Sequence, residues 1–360
     1  MNQDSFSPLE HVLAEQRGGL GVITLNRPDS LNALSLEMIR QIAVTLKQWE
    51  GDDTITAVLF LGAGGKAFCA GGDVKSFYNS GMDYRRGKID ARVASVYFAE
   101  EYLLNKQIFE YPKKTIAIMD GIVMGGGYGI AGHCRHRIVT DHTLFAMPEV
   151  GIGFYPDVGS VYHLLKSPSY FGRLLALTGM RIKAGDVLAA GLADVYLERD
   201  SLDAFIDVLR KGDYDAVVKE HSMEEPAAHV FDQCYDQLGV IFSDMDALGI
   251  CKRLREVDSH WAKDALHQIL SVSPTSVCVT ARYLDEMQGK PFDEVIARDY
   301  EITQYFIRYI DLYEGIRATL IDRDGHAAWD PATLEDVDDT IIERYFGGDS
   351  VPLSDIQIFS

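Results

Sequence analysis

Three consecutive glycines, Gly125 to Gly127, constrain the fold of this chain more than any other short feature of its sequence. They follow a β-like apolar run, Thr115 to Met119, and precede small residues with helical spacing through Ala131. Their free N–H groups are therefore expected at a helix N-terminus, where backbone donors and the helix dipole favour developing negative charge. We expect the chemistry of the protein within the surrounding stretch, Gly121 to Gly159.

Two acidic residues in the same stretch each come directly after a proline, in Pro148-Glu149 and Pro156-Asp157. The fixed φ and missing N–H of proline favour a stiff extended backbone over a helix. Both acids have apolar neighbours, where an unpaired charge is costly and where burial raises the pKa of a carboxyl group. This favours acid–base or nucleophilic catalysis by Glu149 and Asp157. The alternative is a pair of surface-loop acids in a chain with 54 acidic residues.

A second glycine turn, Ala70-Gly71-Gly72, also follows a β-like run. Two separate backbone N–H donors are what an oxyanion hole needs. Glycines at both places could instead serve only the close packing of a helix on a sheet. The residues alone leave these two interpretations open.

Strands and helices alternate through the first 200 residues, which predicts an α/β layered core. After Asp200 the pattern is helical only, so we divide the chain into residues 1–200 and 201–360. The predicted strands are Leu20 to Asn26, Ile55 to Leu61, Thr115 to Met119, Arg137 to Thr140 and Leu144 to Ala146. The predicted helices are Leu34 to Trp49, Tyr84 to Phe109, Leu202 to Arg210, Ala227 to Leu238, Met245 to Val257, Trp261 to Leu270, Thr275 to Met287 and Phe292 to Tyr309.

The formal charge of −20 and the pI near 4.8 disfavour nucleic acid or an anionic membrane as a bulk partner. An anionic small ligand would need a local basic patch, for which the candidates are Arg27, Lys66, Arg85, Arg86 and Lys88. We find no apolar run long enough to span a membrane, and Met1 to Glu10 lacks the features of a secretory signal. These observations predict a cytoplasmic protein with no membrane partner.

Two other sites fit the sequence poorly. Gly127 to Gly132 matches GxGxxG, but Gly121 to Met124 separate the strand from these glycines, which argues against a dinucleotide site. His133-Cys134-Arg135-His136 does not have the paired ligand spacing of a zinc site, and we predict no metal. The five cysteines are widely spaced without a CxxC pair, which indicates reduced thiols.

The combined motifs resemble the crotonase (enoyl-CoA hydratase/isomerase) superfamily, and within it the 3-hydroxyisobutyryl-CoA hydrolase subgroup. The resemblance runs from about Gly19 to Phe346. The segments that carry it are Lys66-Ala-Phe-Cys-Ala-Gly-Gly-Asp73, Asp120-Gly-Ile-Val-Met-Gly-Gly-Gly127, Phe145-Ala-Met-Pro-Glu149, Ile152-Gly-Phe-Tyr-Pro-Asp157, Ser273-Pro-Thr-Ser276 and Tyr313 to Asp324 with Trp329. It implies a crotonase-like spiral of β-β-α turns followed by a helical C-terminal region.

The resemblance also implies roles for particular residues. It assigns the Gly72 and Gly126 N–H groups to an oxyanion hole for the thioester carbonyl. It makes Glu149 the catalytic glutamate and Asp157 the second acid. It places Glu101 in the acyl pocket, and it implies further substrate contacts at Lys66, Ala67, Ala70 and Asp73.

The activity implied is hydrolysis of a short 3-hydroxyacyl-CoA thioester, as in valine catabolism, with coenzyme A as part of the substrate and no separate cofactor. Gly129 stands where hydratases of the superfamily carry one of two catalytic glutamates, which argues against water addition. Ser160 replaces the glycine that usually follows Asp-Val-Gly in the hydrolases. A hydratase or isomerase and an inactive CoA-binding protein are the alternatives. Superfamily members often form trimers or hexamers, which implies a homo-oligomer.

Overall fold

The larger of two β-sheets has the strand order β1-β2-β3-β5-β7-β10. A computed structural model describes residues 11–86, 91–210, 212, 214–244, 246–347 and 353. Only the β1–β2 pairing in this sheet is antiparallel. Its strands are β1 Val12–Arg17, β2 Leu20–Leu25, β3 Ala57–Gly62, β5 Lys114–Met119, β7 His136–Thr140 and β10 Val195–Leu197. The buried apolar run at the start of β3, Ala57 to Phe60, is typical of a parallel strand that is covered on both faces.

A second sheet has the order β4-β6-β8-β9. Its strands are β4 Ala67–Cys69, β6 Ile122–Met124, β8 Leu144–Ala146 and β9 Ile182–Lys183. The first three are parallel, and each comes directly after a strand of the larger sheet and precedes helical structure. The chain therefore winds as successive β-β-α turns, and the predicted α/β spiral is confirmed.

Helices cover the sheets and make up most of the described C-terminal half. The helices before residue 200 are α1 Leu36–Glu50, α2 Val74–Arg85, α3 Ala91–Phe109, α4 Gly126–Ala131, α5 Ser160–Leu164, α6 Phe171–Thr178 and α7 Ala184–Ala189. Those after it are α8 Leu202–Leu209, α9 Tyr214–His221, α10 His229–Phe242, α11 Ala247–Glu256, α12 His260–Ser271, α13 Pro274–Glu286, α14 Phe292–Phe306, α15 Ile310–Ile316 and α16 Asp339–Arg344. A π-helical turn, Arg317–Ile321, continues α15.

Several elements differ from the predicted pattern. The single helix predicted from Tyr84 to Phe109 is two helices, α2 and α3, and the apolar stripe belongs to the second. The sequence pattern also missed the strands β1, β4, β6, β9 and β10. Most of these have two or three residues, too few for an alternating pattern to be recognised, and the glycines after β4 made that strand look like a turn.

The main apolar core contains residues from both sides of residue 200. A smaller cluster on the other face of the large sheet includes Phe205 and Leu209 of α8 and Val217 of α9. The core is thus continuous across the proposed boundary, and the division into two regions stays a prediction. Within the described ranges, no helix combines the length and the apolar character needed to cross a lipid bilayer.

Ser273 caps α13, and Pro274 is the first residue of that helix. The Ser273 hydroxyl accepts from the Ser276 N–H at 3.2 Å and donates to the buried Asp311 carboxylate at 2.6 Å. The Ser273 N–H donates to Val150 O at 3.3 Å, which ties α13 to the 3₁₀ turn Glu149–Ile152. A helix cap in the C-terminal half thereby supports one of the two predicted catalytic segments.

We expect Ser273→Ala to lower the free energy of unfolding by about 2–4 kcal/mol, because it removes a cap and leaves a buried carboxylate short of one donor. Ser35→Ala is the matched control, since Ser35 caps α1 through Met38 N alone, and it should cost about 1 kcal/mol. Urea unfolding of both variants at one pH measures the difference. Equal losses would contradict the role given to the Ser273–Asp311 bond.

Candidate active site

Three strand ends of the smaller sheet carry the predicted site. Gly72 follows β4, Gly126 follows β6 and Glu149 follows β8, and these three strands are neighbours and parallel. Their carboxyl ends therefore lie along one edge of the sheet, where ligands bind in α/β proteins. The fold thus brings together residues that lie up to 77 positions apart in the sequence (149 − 72).

The two glycine turns approach each other closely. A Cβ atom on Gly126 would lie 3.4 Å from Gly72 N, and one on Gly71 would lie 3.9 Å from Gly126 N. Neither the Gly72 N–H nor the Gly126 N–H has a hydrogen-bond acceptor among the described residues. Gly126 is the first residue of α4, as the sequence predicted. The structure therefore places two free backbone donors side by side.

Glu149 begins the 3₁₀ turn Glu149–Ile152, so the predicted extended backbone after Pro148 is wrong. Proline suits the start of a helix because its missing N–H is not needed there. The Glu149 carboxylate lies against Gly125, where a Cβ atom would be only 2.6 Å from Oε1. Its Oε2 is buried and has no hydrogen-bond partner among the described residues, and the residue is 6% exposed. The carboxylate is thus adjacent to the helix start and free on one oxygen.

Two further buried acids belong to the same site. Glu101 of α3 is 2% exposed, and its Oε1 has no hydrogen-bond partner in the described part of the chain. A Cβ atom on Gly126 would collide with that oxygen. Asp157 is 5% exposed and accepts a hydrogen bond at Oδ2 from the Tyr102 hydroxyl at 2.6 Å. The surface-loop interpretation of Glu149 and Asp157 is therefore wrong, because both are buried.

Burial raises the pKa of all three carboxyl groups, and mutual repulsion adds to it for two of them. The pKa of Glu149 is raised well above its usual range by burial, then by the charge of Asp157 and then by that of Glu101. The pKa of Glu101 is raised well above its usual range by burial and by Asp157. Burial raises the pKa of Asp157 from 3.8 to about 7, although the bond from Tyr102 opposes the shift. Raised carboxyl pKa values of this kind are typical of groups that transfer protons in enzymes.

The other residues predicted to contact the substrate differ in exposure and in hydrogen bonding. Lys66 is exposed, Ala67 is buried and Ala70 is half-buried. Asp73 is already engaged, since Oδ2 accepts from Arg27 at 3.0 Å and Oδ1 from Ser76 N at 3.2 Å.

Of the basic candidates, Arg27 therefore serves Asp73, and it also donates to Ala33 O at 2.7 Å. Arg86 is exposed and lies 4.0 Å from Asp83. Lys88 and the Arg85 side chain lie outside the described residues. Lys66 is exposed and lies six residues before Gly72 in the sequence.

Gly129 has no room for a side chain. A Cβ atom there would lie 2.8 Å from Val158 Cβ and 2.9 Å from Asn105 Nδ2. A glutamate cannot be accommodated at this position without moving α3 or the Val158 backbone. Ser160, the other departure from the resemblance, is fully buried at the start of α5, and its hydroxyl has no partner.

The side chains of the His-Cys-Arg-His run point to different partners. His133 contacts His163 and Val158 O, and His136 contacts Asp215 at 2.6 Å. No group of three or more His, Cys, Asp or Glu side chains in the described part of the chain is arranged to hold a metal ion. All five cysteines are buried free thiols.

Sequence reasoning missed the hydroxyl groups behind Asp157. Tyr102 lies on α3, and its oxygen is 2.7 Å from Thr303 Oγ1 of α14. Thr303 Oγ1 is in turn 3.0 Å from the Tyr155 hydroxyl. Residues 102 and 303 are 201 positions apart, so no local pattern joins them.

The chain matches the model of the enoyl-CoA hydratase/isomerase family over residues 20–346, and it belongs to that family. It is 40% identical over 345 residues to the mitochondrial 3-hydroxyisobutyryl-CoA hydrolase of Rattus norvegicus. This alignment covers 93% of this chain and 88% of the relative. The identity to the enzyme of the same name from Homo sapiens is 38% over 347 residues, covering 94% and 88%. Similarity to hydrolases thus extends over nearly the whole chain.

Solved structures agree with the fold. A carnitinyl-CoA dehydratase from Mycobacterium thermoresistibile is 37% identical with a TM-score of 0.89, covering 96% of this chain and 98% of that one. An enoyl-CoA hydratase from Rhodobacter sphaeroides is 31% identical with a TM-score of 0.85, covering 93% and 96%. The crotonase fold expected from the motifs, a spiral followed by a helical C-terminal region, is therefore shown, and the similar structures cover 93–96% of this chain.

The predicted cytoplasmic location is contradicted by the relatives, which are named as mitochondrial enzymes. The prediction depended on the missing features of a secretory signal, and those features do not distinguish the cytoplasm from a mitochondrial compartment. The first ten residues also lie outside the described residues.

We expect Glu101→Gln to stabilise the folded protein at pH 8 by at least about 1 kcal/mol and to have less effect at pH 5. The pKa of Glu101 is raised on folding, so its contribution to stability is present at low pH and is lost as the pH rises through the folded pKa. Glu100→Gln is the matched control, because Glu100 is equally buried but pairs with Arg40 at 2.5 Å. This control should be destabilising at pH 8. Urea unfolding at both pH values tests the pair, and a destabilising Glu101→Gln at pH 8 would be the contrary result.

Proposed function

We propose that the chain hydrolyses a short-chain 3-hydroxyacyl-CoA thioester, with 3-hydroxyisobutyryl-CoA as the first candidate, to the free acid and coenzyme A. The hydrolases to which it is 38–40% identical carry this substrate in their names. The single observation that supports the chemistry is the pair of free N–H groups at Gly72 and Gly126 beside the buried Glu149 carboxylate. Two donors and an adjacent nucleophile or base are the parts that acyl transfer requires.

In the proposed reaction the thioester oxygen accepts hydrogen bonds from Gly72 N–H and Gly126 N–H. These donors are fixed before the reaction, so they stabilise the negative charge that develops on the oxygen without reorganising. A side chain at either position would disturb the site, because a Cβ on Gly72 would lie 2.5 Å from the Tyr97 hydroxyl and one on Gly126 would displace the Glu101 carboxylate.

Glu149 acts by one of two routes. In the first, its carboxylate attacks the carbonyl carbon, the C–S bond breaks, and water then hydrolyses the resulting anhydride. In the second, it removes a proton from the water that attacks the carbonyl. Both routes consume one water, and the sulfur leaves as a thiolate that takes up a proton. Both need ionised Glu149, so its raised pKa places the acidic limit of activity above the usual range of a glutamate.

Asp157 and Glu101 act on the acyl portion. The carboxyl group of Asp157 has a pKa of about 7, so both of its protonation states are accessible. The ionised form can accept a hydrogen bond from the substrate hydroxyl, and the protonated form can give a proton to the leaving thiolate. Glu101 Oε1 lies beside Gly126, where the acyl group begins, and its free lone pairs suit a polar acyl substituent. A 3-hydroxyl group is such a substituent.

Coenzyme A needs cations for its phosphates in a chain with a net charge of −20. We assign the exposed Lys66 to them, with Arg86 as the second candidate. We assign Ala67, Ala70 and Asp73 to the neighbouring substrate contacts, and Arg27 fixes Asp73. The reaction uses only water and the thioester, so it requires no separate cofactor. With this substrate, we propose that the protein acts in valine catabolism. We also propose that the chain forms a homo-oligomer.

A hydratase is the second candidate, because one similar structure is a dehydratase and another is a hydratase. The absence of space at Gly129 argues against it, since water addition by a pair of glutamates needs a carboxylate there. Hydrolysis releases a free thiol that a disulfide reagent detects. Hydration of crotonyl-CoA instead changes the absorbance of the conjugated enoyl group. Absorbance change without thiol release would support the hydratase.

We expect Glu149→Gln to lower thiol release by about 10²–10⁴-fold, because glutamine keeps the size of the side chain but is neither a nucleophile nor a base. Binding of the CoA ester, measured by calorimetry, should be largely retained. Glu110→Gln, at an exposed acid just after α3, is the control and should leave the rate unchanged. Near-normal thiol release by a folded Glu149→Gln protein would remove Glu149 from the mechanism and make Glu101 the next candidate.

Asp157→Asn should slow turnover and reduce the preference for a 3-hydroxyacyl-CoA over the matching plain acyl-CoA by about tenfold or more. The amide loses the charge that strengthens a hydrogen bond to the substrate hydroxyl, and that charge is worth on the order of one factor of ten. The ratio of the two kcat/KM values measures the preference. A slower variant with an unchanged ratio would show that Asp157 does not recognise the hydroxyl group.

A further inference from the structure

The second acid of the site is held by a helix from the C-terminal half of the chain. Asp157 Oδ2 accepts from the Tyr102 hydroxyl at 2.6 Å, and both residues are buried. The Tyr102 oxygen is 2.7 Å from Thr303 Oγ1, and that atom is 3.0 Å from the Tyr155 hydroxyl. Thr303 is fully buried on α14. Asp157 is thus the end of a buried chain of hydroxyl groups.

Counting protons fixes the direction of this chain. Each tyrosine has one hydroxyl proton: Tyr102 donates its proton to Asp157, and Tyr155 donates its proton to Asp299 O at 2.6 Å. With both tyrosine protons used, Thr303 is a donor toward the tyrosine oxygens, and its single proton goes to Tyr102, the nearer of the two at 2.7 Å against 3.0 Å for Tyr155. A Tyr102 oxygen that accepts a hydrogen bond is a stronger donor, because bonds in a chain polarise one another. The order Thr303 to Tyr102 to Asp157 thus favours the carboxylate form.

The same helix also fixes the backbone next to Asp157. Asp299, one turn before Thr303, accepts from Gly159 N at 2.7 Å and from the Tyr283 hydroxyl at 2.5 Å. Between Asp157 and Gly159, Val158 has a positive φ of 56°, a strained conformation for a β-branched residue. The contacts from α14 therefore hold a strained segment in place around the acid.

We propose that Tyr102 is a positioning residue of the hydrolase, oriented by Thr303, and that it holds Asp157 as a carboxylate with Oδ1 turned toward the substrate. This inference rests on the proposed function and extends it, because it makes α14 part of the site. Tyr102 touches neither the thioester nor the water in this arrangement. It acts by setting the ionisation and the orientation of Asp157.

In the described part of the chain, the groups whose pKa responds to the charge of Asp157 are acids and phenols. The acids facing it are Glu101, Glu149 and Asp299. The phenols facing it are Tyr97, Tyr102, Tyr155 and Tyr283. Acids and burial oppose the carboxylate form, so the hydrogen bond from Tyr102 is the main interaction between side chains that favours it.

The test uses the full chain and the pH profile of kcat/KM for thiol release from 3-hydroxyisobutyryl-CoA. The Asp157→Asn variant identifies the limb of the profile that the ionisation of Asp157 sets, because this limb disappears in it. In Tyr102→Phe this limb should move to higher pH by about one unit or more, whichever side of the profile it forms. Thr303→Val should move it in the same direction by less, and Thr303→Ser should restore the wild-type position.

Tyr111→Phe is the control. Its hydroxyl is partly buried, and it donates to the carbonyl of Leu46 at 2.8 Å rather than to a carboxylate. This variant should leave the limb in place. A Tyr102→Phe limb that coincides with that of the wild type would overturn the proposal. If Tyr102→Phe does not fold, an unmoved limb in Thr303→Val would do the same.

A second readout does not depend on activity. The pKa of Asp157 is raised on folding, so its protonated carboxyl group contributes stability at low pH. This contribution is lost as the pH rises from about 4 to about 7. Removing Tyr102 raises the folded pKa further, so the loss caused by Tyr102→Phe should be constant at pH 5–6 and should grow above pH 7. The loss caused by Tyr111→Phe should not change with pH.

These two readouts separate the possible failures. A wild-type protein that releases no thiol from any short 3-hydroxyacyl-CoA would refute the proposed function, while the unfolding curves would still decide the role of Tyr102. A wild-type protein with the expected activity, combined with parallel unfolding losses for Tyr102→Phe and Tyr111→Phe, would refute the inference alone.

Discussion

The close approach of two glycine turns is the constraint on which the site depends. A Cβ atom on Gly126 would lie 3.4 Å from Gly72 N and would collide with Glu101, and one on Gly125 would lie 2.6 Å from Glu149 Oε1. Small residues here serve two needs at once, because they allow tight packing and they leave backbone N–H groups uncovered. The two explanations that the sequence left open for these glycines are therefore compatible.

Burial of several acids without a cation is unfavourable, and the surrounding structure must offset it. Residues of the C-terminal half do this directly: Ser273 ties α13 to the turn at Glu149, and Thr303 and Asp299 hold the segment at Asp157. The raised pKa values are the chemical result. The C-terminal helices thus stabilise an arrangement that is poor for folding and suited to proton transfer.

The sequence was informative where function depends on local chemistry. Gly126 and Glu149 each follow a strand in a recognisable motif, so they could be found without a structure. Tyr102 and Thr303 could not, because their contact is made only by tertiary packing of α3 against α14. The turn at Glu149 was misjudged, since proline is compatible with both an extended chain and a helix start. Strands of two or three residues, such as β9, have no detectable period.

The most direct test of the central claim is a crystal structure of the Glu149→Gln protein with 3-hydroxyisobutyryl-CoA bound. The thioester oxygen should lie about 2.7–3.1 Å from both Gly72 N and Gly126 N, with the side chain of residue 149 next to the carbonyl carbon. The 3-hydroxyl group should contact Asp157 or Glu101. A thioester oxygen that contacts neither glycine N–H would contradict the proposed oxyanion hole and the mechanism built on it.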